Sequence, residues 1–292
     1  MTDKARGFTA VMNQRVEAAD SLDDFPTPPW ATRALAEIAM VGMNKGQTVL
    51  EPAAGRGLMS EVLKEYWRVV ESRDIADYGY PLAMISDYTE ETSPTFRWYD
   101  WVITNPPFGD NFVPFWQRAM EDAATGVAFF LRGNLTEGIE RYQEVFRDNP
   151  PTRIAYFSER VPLQKHSWAP KASTATAYAW FIWDKDAPHG QTGVLWIPPG
   201  QRKALTRADD EIRFAHCIDT PERRAYEAKK EAERQAKLAH IVEVSFSDDV
   251  TAMTKVQPIR SAMMDRALGV ELPGYTEAQQ DILNRTKLVW GK

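Results

Sequence analysis

Short apolar runs, each stopped by a glycine or proline turn, alternate along this chain with segments whose apolar residues recur every three or four positions, and that alternation limits the fold more than any other feature. The first run, Thr48-Val49-Leu50-Glu51, leads into Pro52-Ala53-Ala54-Gly55-Arg56-Gly57, and behind it Leu58, Met59, Val62, Leu63 and Tyr66 share one helical face. This is a buried strand, a tight turn and an amphipathic helix. Further strands are expected at 68–75, 98–104, 127–131, 153–157 and 177–183, with helices at 30–42, 112–124 and 136–147. Two strands flanking a helix make a right-handed crossover the default. The pattern therefore predicts an open, mostly parallel α/β sheet over residues 26–186, covered by helices on both faces.

Composition narrows the class. Of 292 residues, 43% are apolar, 26% charged and 11% aromatic, which is enough to build one large domain or a domain with an appendage. No stretch reaches the roughly 18 apolar residues of a membrane-spanning helix, and the start lacks an apolar run behind its charges, so a soluble, unexported, cytoplasmic protein is expected. Cys217 is the single cysteine, and no Cys/His cluster has structural-zinc spacing, so neither a disulfide nor a metal is expected. The net charge of −6 means that a nucleic-acid partner must meet a locally basic face on an acidic molecule. Residues 1–25 are polar and read as a flexible lead-in; 26–200 read as the catalytic domain. Residues 201–292 read as a mainly helical extension, with a charged helix at 221–240 and apolar anchors at Met263, Met264, Leu268 and Ile282. The run Val194-Leu195-Trp196-Ile197 reads as an edge strand or a linker.

Ligands of doubly wound sheets sit outside the carboxyl ends of the strands, where the loops at 55–57 and 105–108 should converge. The glycine turn permits close backbone approach but is equally a plain connector. It has no Gly-Lys-Ser/Thr and no third glycine, which weighs against P-loop and NAD readings. Glu51 closes the first strand and Asp74 the second; a carboxylate there suits a ribose, with Glu71 as competitor and a solvated strand end as the plain alternative. Asp87 sits where a third loop could reach an adenine amino group. In Phe25-Pro26-Thr27-Pro28-Pro29-Trp30, Thr27 can cap a helix whose first position a proline occupies.

Asn105-Pro106-Pro107-Phe108 is the most specific segment. Its prolines donate no backbone hydrogen bonds, so the chain offers rigid carbonyl acceptors beside the Asn105 side-chain oxygen and the flat face of Phe108. A planar amine held by two acceptors under a stacked ring matches that set.

Glu51-Pro52-Ala53-Ala54-Gly55-Arg56-Gly57 followed by Asn105-Pro106-Pro107-Phe108 resembles the class I S-adenosylmethionine-dependent methyltransferases, specifically the DNA adenine-N6 branch. Phe25-Pro26-Thr27-Pro28 resembles that branch's additional cofactor motif, placed as in its gamma subclass, and the similarity covers about residues 25–185. The resemblance implies a Rossmann-like, mostly parallel seven-stranded sheet and S-adenosyl-L-methionine as cofactor. It implies that Glu51, Pro52, Ala53, Gly55 and Gly57 line the cofactor's methionine and ribose portions, that Asp74 binds the ribose and Asp87 the adenine, and that Thr27 and Pro28 wrap the methionine end. Asn105 and Pro106 would hold the target amine, with Pro107 stiffening the loop and Phe108 stacked on the base. The implied partner is DNA, double- or single-stranded. RNA adenine, a protein glutamine amide or a non-catalytic binding module are the alternatives. The family's large sequence-reading domain is not recognisable in this sequence. The long loop at 160–171, with Arg160, Lys165 and Lys171, and Arg132 nearby are candidates for phosphate contact.

Overall fold

The computed structural model describes residues 23–91, 99–107, 111–172, 174, 176–188 and 190–247, with side chains described to residue 238. Phe108, residues 1–22 of the lead-in expected at 1–25 and the apolar anchors expected from Met263 to Ile282 lie outside the described residues.

Eight strands form one sheet: β1 Thr48–Glu51, β2 Val69–Asp74, β3 Met84–Ile85, β4 Tyr99–Thr104, β5 Ala123–Arg132, β6 Arg153–Phe157, β7 Tyr178–Asp184 and β8 Gly193–Ile197. Their order across the sheet is β3-β2-β1-β4-β5-β7-β6-β8. Every pairing is parallel except those of β7, which runs antiparallel to both β5 and β6. This is the doubly wound, Rossmann-like arrangement expected, one strand richer than seven. The surplus is β3, two exposed residues with no apolar pattern; β8, the run read as an edge strand or a linker, is an edge strand paired in register with β6. The order 3-2-1-4-5 puts the switch point between β1 and β4, so the crevice must open at the ends of those two strands.

The strands were legible as apolar runs because both faces are buried. Trp101 and Ile103 of β4 and Phe130 and Trp180 of β5 and β7 pack in one layer; Val102, Phe129, Phe181 and Trp183 pack in the other. Successive side chains of a strand point to opposite faces, so neither parity can be polar. The first layer is covered by α1, Pro29–Ala34 with a wider turn through Ala39, and by α2, Leu58–Leu63. The second is covered by α3, Phe112–Asp122. The helix expected over 136–147 is broken into a tight turn at Gly133–Thr136, α4 at Ile139–Arg141 and a wide turn at Tyr142–Phe146.

Residues up to Arg224 form one compact unit and those from Ala225 a second. Hence α5, Gln201–Leu205, and α6, Asp210–Arg213, belong with the sheet rather than with an extension beginning at 201. The reason is a buried ion pair: Arg33 of α1 donates to both oxygens of Asp210 at 2.7 Å and to the Leu205 carbonyl at 2.7 Å. The charged helix α7 runs Pro221–Ser247, longer than the 221–240 expected, and its second-unit part is supported by Glu231 with Arg234 and Gln235.

Candidate active site at the switch point

A cavity of about 350 Å³ lies at the carboxyl ends of β1, β2 and β4. Of the residues singled out from sequence, Thr27, Glu51, Pro52, Ala53, Gly55, Asp74, Asp87, Asn105 and Pro107 line it. Pro28, Gly57 and Pro106 are not among its lining residues.

The glycine turn divides into two functions. Gly55 (φ +53°) faces open space, so its backbone is free to meet a ligand, and its N–H donates to Asp74 Oδ2 at 2.7 Å. Gly57 (φ +80°) instead caps α2 from behind: a Cβ there would stand 2.2 Å from the Tyr80 ring, so this glycine serves packing rather than the cavity wall. Pro28 is likewise structural, since it is the N-cap residue of α1 and its carbonyl accepts the Ala31 N–H at 2.9 Å. Thr27 does not cap the helix, as its spacing suggested; its hydroxyl is buried on the cavity wall with no partner.

Three acids rim the pocket differently. Burial pushes the Glu51 carboxyl up to about 8, against a hydrogen bond from Ser60, which also contacts Ser72 at 2.6 Å. Burial also raises Asp74, although the N–H groups of Ala76, Gly55 and Ile75 hold it down in part. Both Asp74 oxygens thus tie the loops together, Oδ2 on Gly55 and Oδ1 on Ala76 at 3.0 Å, leaving only their remaining lone pairs for a ligand. Glu71 pairs with Arg73 and is absent from the cavity lining. Asp87 accepts from the N–H and hydroxyl of Thr89 through one oxygen.

Asn105 follows the last residue of β4 and is the most informative group. Asn105 lines the cavity; its Nδ2 donates to the Phe25 carbonyl at 3.0 Å, while its Oδ1 is buried without a partner. A buried acceptor left unpaired costs on the order of 1–3 kcal/mol, which a ligand N–H would recover.

All five residues of Asp23–Thr27 line the cavity; the motif read from Phe25 to Pro28 covers three of them, and sequence reasoning missed Asp23 and Asp24. Asp24 and Phe25, placed in the flexible lead-in, are buried. Asp24 Oδ2 accepts from Arg56 Nε at 3.1 Å and Nη2 at 2.9 Å, and lies 3.2 Å from His166 Nδ1. Tyr78, with its ring 5.4 Å from the Arg56 guanidinium, and Asn111 complete the lining on either side. The only signal for Arg56 was its position between two glycines. One residue of the 160–171 loop is not the phosphate contact suggested: Lys165 is buried with its ammonium 5.9 Å from the Phe25 ring, and Trp168 of the same loop is buried against Phe214.

No family model matches the chain, and no curated protein matches it. Similar solved structures include a protein described as a candidate RNA methyltransferase from Pyrococcus horikoshii, 22% identical over 56% of this chain and 88% of that one, with a TM-score of 0.43. The methyltransferase subunit of a type I restriction-modification system from Streptococcus thermophilus is 13% identical over 68% of this chain and 58% of its own length, with a TM-score of 0.47. A TehB-like SAM-dependent methyltransferase from Corynebacterium glutamicum is 13% identical over 53% of this chain and 87% of that one, with a TM-score of 0.34.

Proposed function

We propose that the protein is an S-adenosylmethionine-dependent methyltransferase acting on the exocyclic N6 amine of adenine in DNA, the base being flipped out of its stack to enter the cavity. The observation that carries this reading is the orphaned Asn105 Oδ1, fixed as an acceptor at the mouth of a switch-point crevice. The lining fits the cofactor. Asp23, Asp24, Asp74 and Asp87 oppose a single Arg56 on the lining, a charge balance suited to a ligand bearing a sulfonium and an ammonium and unsuited to a dinucleotide phosphate. The unpartnered Thr27 hydroxyl and the open face at Gly55 supply a donor and a close approach.

When bound, the cofactor supplies an electrophilic methyl group on sulfur. The protein's part is orientation. Asn105 Oδ1 accepts one hydrogen of the amine, and the Pro106 carbonyl is the second acceptor in this reading. Together they turn the nitrogen lone pair away from the ring and toward the methyl carbon. With such a methyl donor held beside them, these acceptors would lower the barrier by placement and by their dipoles, and the proton that the methylated nitrogen sheds would pass to solvent. Unpairing the base costs a few kcal/mol, which Phe115 and Pro107 on the lining can repay in part by contact.

Methyl-labelled cofactor, offered with double-stranded DNA, single-stranded DNA, RNA and a protein extract in turn, tests the reading. N6-methyladenine recovered from DNA is the expected product. Label confined to RNA adenine or to glutamine amides moves the activity to another polymer, and no transfer despite cofactor binding refutes catalysis.

A further inference from the structure

An asparagine side chain is nearly symmetric, and only its partners decide whether oxygen or nitrogen faces a substrate. Turned by half a rotation, Asn105 would present N–H donors to an amine that needs an acceptor. The Phe25 carbonyl can only accept, so by taking Nδ2 at 3.0 Å it fixes Oδ1 on the cavity side. The orientation of Asn105 therefore depends on where the strap Asp23–Thr27 lies.

That strap is held by its neighbour Asp24. The Arg56 guanidinium donates twice to Asp24 Oδ2 and reaches Glu222 Oε2 at 3.1 Å, while its backbone carbonyl lies 3.2 Å from His216 Nε2. On the other side, the His166 N–H donates to the Asp24 carbonyl at 2.7 Å, and the Thr220 hydroxyl donates to the His166 carbonyl at 2.5 Å. Arg56, Asp24 and Phe25 thus connect the glycine loop to Asn105 through one continuous set of contacts.

We infer that Arg56 and Asp24 are positioning residues for methyl transfer: Arg56 holds Asp24, and the strap so fixed presents the Phe25 carbonyl that orients the Asn105 amide with its oxygen toward the amine. This rests on the methyltransferase reading for its chemistry, but the orientation itself is measurable without turnover. Arg56 acts from the loop between two glycines, so its side chain grips the strap while the Gly55 backbone remains available to the cofactor.

Arg56→Lys and Asp24→Asn are the variants to compare with the wild type. Lysine keeps a positive charge beside Asp24 and Glu222 but loses the two-pronged grip; asparagine keeps the shape and loses the charge. Single-turnover methyl transfer is expected to fall about tenfold or more in each, the scale of a small misplacement of reacting groups, with cofactor Kd changed less than about threefold. Unchanged transfer overturns the inference, and so does a parallel loss of transfer and cofactor binding, which marks a structural role. The second readout is hydrogen exchange of the Asn105 side-chain amide by NMR on the full chain without cofactor. A slow-exchanging proton in the wild type that becomes fast in Arg56→Lys supports the inference even if no substrate is methylated; equal protection in both overturns it. A wild type that methylates nothing, with the protection pattern as expected, refutes the methyltransferase reading alone.

Discussion

Glu51 is the residue whose chemistry is most exposed to pH. Its carboxyl, 2% exposed and pushed from 4.5 to about 8 by burial, holds a proton in the folded protein that it loses in the unfolded one. Between those values the folded state binds more protons, so this group's contribution is fully present below about pH 4.5 and is lost as pH rises through about 8. A cationic ligand in the same cavity favours the carboxylate and reverses the trend for binding. Cofactor Kd measured by calorimetry should tighten with rising pH up to about 8 and then level off, with proton release below that point. Glu51→Gln should flatten the profile; a flat profile in the wild type would show that Glu51 does not sense the ligand's charge. Nothing in the sequence announced this shift, because it arises from burial of the carboxyl in the packed fold, which outweighs the hydrogen bond from Ser60.

At the level of elements, the joints between strand and helix carry the strain and the ion pairs. Gly57→Ala would put a Cβ in a left-handed turn and 2.2 Å from the Tyr80 ring, so a loss of about 1–3 kcal/mol is expected, read as a drop in urea midpoint at unchanged slope. Arg33 is 1% exposed and pairs with Asp210 and Glu65; Arg33→Ala leaves Asp210 buried without its ion-pair partner, while Glu65 keeps Arg207 and Arg213, and should cost about 3–5 kcal/mol by the same measurement. A change under about 0.5 kcal/mol in either variant would contradict the packing described, since that is the range of surface substitutions. β1, β4 and β7 could be read from sequence because both their faces are buried. β3 and the broken segment 133–146 could not, because β3 is held by backbone pairing to β2 and the broken segment has no continuous stripe. Of the site, the residues at the ends of strands were legible from their place in the pattern. The part of the strap played by Asp24 was not: it meets Arg56 across 32 positions and His166 across 142, and no local periodicity records such contacts.

For the molecule as a whole, the switch point between β1 and β4 explains why two motifs some fifty residues apart in the chain face one cavity, with Asp87 joining them from the loop after β3. The same cavity gathers the strap, the glycine loop and the β4 loop, so a ligand that touches all three should stabilise the fold beyond its immediate neighbours. At a free cofactor concentration of about 100 times Kd, linkage gives about 2.7 kcal/mol, which should appear as a rise in Tm that grows with the logarithm of concentration. No such rise would mean that the cavity does not take this cofactor. The central claim is narrower: the Asn105 oxygen accepts a hydrogen of the amine that is methylated. The most direct measurement is transfer of labelled methyl to adenine in DNA by wild type and Asn105→Ala, with cofactor Kd determined for both. Transfer should fall by about a hundredfold or more while cofactor binding persists, the magnitude seen when one preorganised polar partner is removed from a transition state. Equal rates in the two proteins would contradict it.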